Sequence, residues 1–417
     1  MPSMSYRLVL AVSLLSLSLW GVLLAMNPVP VHEGQPDPAA LKVFAQETNQ
    51  FGFDLFQQLR TEPGNLFFSP YSISSALAMT ATGARGETIQ QMTKVLHIPD
   101  DVKRFSGLHH GLMTSLLDKP VGYDIRIANA LWGQNRYPFK ADFISLAQRD
   151  FRAEARNLDF AKDANASRLT INAWVEEQTN NRIKDLLPSG SITPLTRLVL
   201  TNAIYFKGTW LIPFDKKFTK PLDFSLTASE KVKTDMMYRV DDMRYTENDD
   251  LQALELPYKG NRLSMVVLLP KKRDGLSEVE AGLTSEKISQ WIAALNSRKV
   301  ILTFPKIKTT YSASLSKTLP LMGMVDAFNQ GKADFSGMDG TRDLSISDVV
   351  HKAFCEINEE GTEAAAATGV IMPMRSVAPR KEPPPVEFQA DHPYLYLIRD
   401  TQTGLLLFLG RVTDPRS

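Results

Sequence analysis

The chain has 417 residues and a formal net charge of +1, with 43% hydrophobic, 22% charged and 9% aromatic residues. Length alone suggests two or three domains, and the composition is that of a globular protein able to bury a large core. Near-neutral charge gives no ground for nucleic acid or an anionic surface as the main partner. The densest basic stretch, Lys271, Lys272 and Arg273, is short and reads as a solvated turn. The single cysteine, Cys355, excludes an internal disulfide. Its apolar setting, Ala353-Phe354-Cys355, reads as a small buried hydrophobe rather than a reactive thiol.

In chain order, one positive charge, Arg7, precedes an uncharged run from Leu8 to Met26. The run resembles a signal peptide but exceeds the usual ~7–15 apolar residues. As a helix it would span about 28 Å, close to the hydrocarbon thickness of a membrane. Residues 1–26 therefore read as a signal peptide or a membrane anchor, and no cysteine lies near them to carry a lipid. Arg7 before the run, with Glu33 and Asp37 after it, orients the N-terminus inwards. Both readings place the rest of the chain outside the cytoplasm, secreted or periplasmic. Residues 27–40, with Pro28, Pro30, Pro36 and Pro38, read as a linker. The remainder, 41–417, shows no break and no internal repeat.

Helix signals come first. Phe44, Phe51, Leu55 and Leu59 recur near helical spacing. Pro70 after Ser69 marks the start of a helix through Ser74–Thr82. Trp174 and Val175 lie in the amphipathic stretch TINAWVEEQTNNRIKDLL. Strands follow. LVLTNAIYF from Leu198 to Phe206 and LSMVVLL from Leu263 to Leu269 are continuous apolar runs, as in strands buried on both faces. Val300–Phe304 and Leu405–Leu409 read alike. Helices and strands mix without strict alternation, which supports an α+β class with large antiparallel or mixed sheets.

Residues 351–390 do not fit this pattern. Ala364 to Ala367 lie between Gly361 and Gly369, and a proline-rich run of 379–385 follows. Such a segment reads as a long surface loop. At a two-residue period, Thr362, Ala364, Ala366, Thr368, Val370 and Met372 share one uncharged face, and Glu363 falls on the other. No proline interrupts Glu359 to Met372, so every amide there is able to join a sheet. The same segment suits a loop in one state and a central strand in another.

EEGTEAAAAT closely resembles the hinge of inhibitory serpins, comprising here Glu359, Glu360, Gly361, Thr362, Glu363, Ala364, Ala365, Ala366, Ala367 and Thr368. The likeness covers nearly all of residues 41–414. NLFFSPYSISSALAM, TINAWVEEQT, LTNAIYFKGTW, LELPYKGNRLSMVVLLP, GMVDAF with ADFSGM, and DHPYLYLIRDTQTGLLLFLGRVTDP follow in the family's order. The resemblance implies one domain of three β-sheets with eight or nine helices and an exposed reactive-centre loop, and it overrules the domain count suggested by length. With the N-terminal segment it implies an exported member of bacterial type. It further implies a suicide-substrate inhibitor: a serine protease cleaves the loop, stays acyl-linked, and is dragged as the hinge inserts into the main sheet. Insertion adds roughly a dozen ladder hydrogen bonds at ~0.5–1.5 kcal/mol each, comparable with a whole domain's stability of ~5–15 kcal/mol.

Counting Glu359 as the first residue, the family pattern puts the seventeenth, Arg375, before the cleaved bond and Ser376 after it. An arginine there suits trypsin-like proteases. The stretch from Ser376 to Phe388 is longer than in typical animal members, so Met374, Arg380 and Lys381 stay open as alternatives. By resemblance Ser69, Ser72, Asn202 and His351 form a polar shutter network, and Trp210 marks the breach where the loop inserts. The implied partner is a protease in a covalent complex with a monomeric inhibitor, with no cofactor or metal.

An enzyme is the first rival. The chain has no nucleophile-elbow G-x-S-x-G, P-loop or H-E-x-x-H. Of six histidines, His32, His97, His109, His110, His351 and His392, only His109 and His110 adjoin, and that pair reads as solvated surface. A non-inhibitory serpin, acting as carrier, chaperone or storage protein, is the second rival; small uncharged residues on the inward face of the hinge argue against it. Asn165-Ala166-Ser167 is a glycosylation sequon whose use depends on a eukaryotic secretory route.

Overall fold

A computed structural model describes residues 36–117, 120–362 and 383–416. Residues 34–417 form one compact unit, where length alone suggested several. The helices are α1 (Pro38–Leu59), α2 (Pro70–Thr82), α3 (Gly86–Leu96), α4 (Val102–Leu117), α5 (Ala141–Phe151), α6 (Ala164–Gln178), α7 (Leu276–Ala281), α8 (Ser285–Ala294), α9 (Thr318–Leu321) and α10 (Ser336–Asp339). The strands are β1 (Leu66–Phe68), β2 (Tyr123–Gln134), β3 (Glu154–Leu158), β4 (Leu198–Thr209), β5 (Lys220–Ser225), β6 (Lys231–Glu247), β7 (Leu251–Pro257), β8 (Leu263–Pro270), β9 (Asn296–Pro305), β10 (Ile307–Ser314), β11 (Asp348–Asn358), β12 (Gly361–Thr362), β13 (Val386–Gln389), β14 (Tyr394–Asp400) and β15 (Leu406–Val412).

Local chemistry explains where the first helices begin. Asp37 accepts from the Ala39 amide and Pro38 occupies the first turn, so α1 starts inside the stretch read as linker. Its apolar stripe, including Phe44, Phe51, Leu55 and Leu59, is buried. Ser69 caps α2 by accepting from the Ser72 amide at 3.1 Å, again with Pro70 in the first turn. All thirteen residues of α2 are buried, as the absence of any charged residue from it allows.

The strands form a mixed six-stranded sheet, ordered β10-β11-β12-β4-β2-β3, and a nine-stranded assembly, ordered β1-β15-β14-β8-β7-β6-β9-β13 with β5 on β6. The assembly divides at the long strand β6. Its first part pairs with β5 and β9, and only Arg244–Glu247 pair with β7. Three sheets result, with ten helices among the described residues, three of them six residues or shorter. β4 and β8 are buried along almost their whole length, as their apolar runs predict. The six-stranded sheet has the main core on one face. On the other, α6 seals a smaller cluster that includes Trp132, Trp174, Val199 and Phe354.

Cys355 is fully buried on β11. The Asn165 sequon lies in the first turn of α6, where its side-chain oxygen accepts from Arg168. The expected solvated His109–His110 pair needs correction. Successive residues of α4 point about 100° apart, and His109 faces inwards, 2% exposed, between Tyr71 and Phe151. Its Nδ1 lies 3.1 Å from the Asp150 carbonyl, and His110 bonds the neighbouring Arg149 carbonyl at 3.0 Å. No described helix is long and apolar enough to cross a membrane; residues 8–26 lie outside the described residues.

Candidate functional site

β4 and β11 run parallel and pair directly from Val199–Tyr205 with Asp348–Phe354. Above this seam the chain turns back at Glu359 and Glu360, and β12 slots between the two strands. Gly361 and Thr362 pair with Asn358 and Ile357 on one side, and with Thr209 and Gly208 on the other. Gly361 and Thr362 of the hinge are thus already strand residues of the main sheet. A Cβ at position 361 would lie 1.9 Å from the Gly208 carbonyl oxygen, so only glycine fits there.

The seat is built from distant segments. Thr362 is fully buried, and its hydroxyl meets that of Tyr258 at 2.6 Å. Tyr258 stacks on Trp210, ring centroids 4.6 Å apart. The Trp210 indole donates to the Asn358 carbonyl at 3.0 Å and its backbone amide to that of Glu360 at 2.9 Å. Glu359 is 5% exposed, accepting from Thr219 at 2.8 Å with Lys306 at 3.5 Å. Burial pushes its carboxyl up, but its own amide, Thr219 and Lys306 outweigh that and hold it below the ordinary range. Glu360 pairs with Lys216 at 2.7 Å. The other hinge residues, Glu363 to Thr368, and the loop residues Met374, Arg375, Ser376, Arg380 and Lys381 lie outside the described residues.

Below the seat a polar rung crosses the sheet. Asn129 of β2, Asn202 of β4 and His351 of β11 stand directly opposite one another. Asn202 donates to the Asn129 side-chain oxygen and to Ser72, and its own oxygen accepts from His351 Nδ1 at 2.5 Å. Asn129 donates to Ser75 Oγ at 3.0 Å. His351 Nε2 accepts the Ser69 amide at 3.3 Å, which leaves Nδ1 as the donor and the ring neutral. Four residues named from sequence, Ser69, Ser72, Asn202 and His351, therefore meet in one network at the start of α2. Asn129, Ser75, Tyr258, Thr219 and Lys306 belong to the same machinery. Asn129 alone left a sequence signal, as a polar residue in the stretch IANALW.

The mixed sheet thus holds Gly361 and Thr362 between two parallel strands. A family model described as "Serpin (serine protease inhibitor)" matches residues 46–415. Human Serpin B3 is 41% identical over 391 residues, covering 89% of this chain and 99% of the relative. A serpin-like protein of Thermococcus kodakarensis is 41% identical over 387 residues, covering 92% and 87%. Human leukocyte elastase inhibitor is 39% identical over 385 residues, covering 90% and 100%. Among solved structures, Serpin48, described as a highly specific serpin of the insect Tenebrio molitor, superposes with a TM-score of 0.81 at 33% identity, covering 89% of this chain and 98% of its own. Human thyroxine-binding globulin with bound thyroxine gives 0.82 at 28%, covering 91% and 100%. The chain belongs to the serpin family. The bare expectation of no enzyme, drawn from missing motifs, gives way to a positive statement: the family model describes inhibitors of proteases, and named relatives are inhibitors.

Burial lowers the His351 pKa from 6.5 to about 3 and that of His109 to about 4. The unfolded chain therefore takes up these protons first. Stability is full above pH ~6.5 and falls as the pH drops towards the folded values. Urea unfolding between pH 6.5 and 4.5 should lose up to about 1.4 kcal/mol per pH unit for each such histidine. His351→Gln should reduce that slope by one histidine's share; an unaltered slope would show that His351 is not held neutral.

Proposed function

We propose that this serpin inhibits serine proteases as a suicide substrate: its loop is cleaved, the protease stays acyl-linked, and the hinge inserts between β4 and β11. The observation that carries the reading is the seat of Gly361 and Thr362, paired on both edges. Thr362 faces the Tyr258 side of the sheet, so in the two-residue register Ala364, Ala366 and Thr368 follow it inwards, and all are small and uncharged. We place the scissile bond at Arg375–Ser376, which directs the inhibitor to trypsin-like enzymes. The polar rung at His351 and Asn202 acts as the gate that must part for the strand to enter. The apolar run 8–26 marks the protein for export, as cleaved leader or retained anchor. A carrier role is the second reading, favoured by the likeness to thyroxine-binding globulin, whose structure is a complex with thyroxine.

Mixing the protein with trypsin should give a complex that survives a denaturing gel, with release of a peptide beginning at Ser376. Arg375→Ala should abolish trapping without unfolding the protein, because the segment reads from its sequence as a surface loop, and such loops contribute little to stability. Clean cleavage with no complex would favour the carrier, and a peptide beginning at Val377 or Lys381 would move the bait bond.

Thr362→Arg should turn the inhibitor into a substrate. A guanidinium would sit unpaired beneath the sheet, at a penalty of several kcal/mol (about 3–5 when a buried charge loses its partner). Moles of inhibitor consumed per mole of protease inhibited should rise several-fold. Glu363→Arg, on the outer face, should do much less, and equal effects would refute the register.

A further inference from the structure

The sheet portion made by β5, β6, β9 and β13 carries an apolar patch that the fold does not bury. Side chains alternate along β6. Met237 and Met243 lie in the main core, and Tyr238 and Val240 point to the opposite face. Cross-strand partners share a face. Tyr238 stands beside Thr303 of β9, and Val240 beside Ile301. On the other flank, Leu222 of β5 stands beside Thr234, and the Phe218 ring meets that of Tyr238 edge-on with centroids 6.3 Å apart. Phe218, Leu222, Tyr238 and Val240 are each between 39% and 48% exposed. Single exposed apolar side chains are ordinary; four large ones gathered on one sheet face mark an interaction surface.

The charges around the patch largely satisfy one another. Lys217 pairs with Asp215, Lys233 with Asp223 and Lys216 with Glu360, each at 2.7 Å. The patch therefore offers apolar contact rather than a field of one sign, and its occupant has to present an apolar surface. Position says which occupant. The hinge is latched through Glu359 and Glu360 to Thr219 and Lys216, in the segment that leads into β5. The described residues end at Thr362 and resume at Pro383, and β13 then pairs with β9, the neighbour of β6. The two roots of the reactive loop thus frame the patch, and an enzyme that grips the loop stands over it.

We propose that the outward face of β5 and β6, centred on Tyr238 and Val240, is an accessory docking surface for the protease that attacks the loop, taking an apolar surface loop beside that protease's active-site cleft. Contact there holds the encounter complex together before any bond is cut and adds a layer of selection beyond the bait residue. The proposal rests on the inhibitor reading for the identity of the occupant.

The test measures affinity of the whole protein for trypsin whose nucleophilic serine is replaced by alanine, which binds the loop without cutting it. Tyr238→Ser combined with Val240→Ser should weaken binding about fivefold or more, as loss of an interface anchor does. The factor should be the same at low and high salt, because apolar contact is not screened. Phe218→Ser should act in the same direction. Leu169→Ser, an exposed apolar position on α6, should leave affinity unchanged. Trapping of active trypsin on a denaturing gel reports on the inhibitor reading separately. If the parent traps trypsin and every variant binds the inert enzyme equally well, the docking surface is overturned and the reading stands. If the parent traps nothing, yet the double variant loses inert trypsin, the docking surface stands and the reading falls. A parent that neither traps nor binds trypsin overturns both. Tighter binding by the double variant would show that the patch holds the chain's own loop. A dimer in sedimentation that the double variant dissolves would give the patch to a second copy. Either result overturns the assignment.

Discussion

The seam between β4 and β11 is the constraint on which the structure depends. Two strands that run parallel in one sheet, with the chain turning back at the top of one of them, leave room for a strand antiparallel to both. Gly361 and Thr362 occupy the first two places of that strand. Below them the seam is closed by a ladder of seven residue pairs and by the rung at His351 and Asn202. Parallel pairing is slightly weaker per residue than antiparallel pairing, so if the hinge inserts as proposed, the closed seam is the weaker of the two arrangements.

This alters the energetic account drawn from sequence. On the proposed mechanism insertion would not simply add a ladder; it would dissolve the seven-pair seam and build two antiparallel ladders in its place. The net gain is still at least one ladder of about a dozen hydrogen bonds at ~0.5–1.5 kcal/mol each. What resists is local: the neutral His351–Asn202 contact, the Ser69 amide held by the same ring, and the latches of Glu359 and Glu360 to Thr219, Lys306 and Lys216. On the proposed mechanism such an arrangement would hold a large downhill step behind a small polar barrier. The tight approach of Gly361 to Gly208 shows how closely the seat is fitted, since a Cβ at position 361 would collide with the Gly208 carbonyl oxygen.

Much of this was legible in the chain because burial on both faces writes itself as uninterrupted apolar sequence. LVLTNAIYF and LSMVVLL became β4 and β8, and the polar Asn202 within the first marked a residue in need of a partner. The hinge was readable through a resemblance, and through the period that puts Thr362 and Glu363 on opposite faces. The seat was not. Tyr258, Thr219, Lys216 and Lys306 lie between about 50 and 145 residues from the hinge in sequence, and nothing in their own neighbourhoods announces it. β6 also escaped, since its alternation of charged and apolar residues belongs to a strand with one wet face and resembles loop until its partners are known. His109 was read as solvated because nothing in its neighbourhood announces the Tyr71 and Phe151 rings that bury it.

The central claim is that the hinge becomes a full strand of the main sheet once the loop is cut. The direct measurement is the thermal midpoint of the intact protein against that of the protein cleaved within the loop, in the same buffer. A net gain near 10 kcal/mol, spread over the unfolding entropy of a chain this long, raises the midpoint by on the order of 10 °C. A midpoint that stays the same or falls after cleavage would contradict the account.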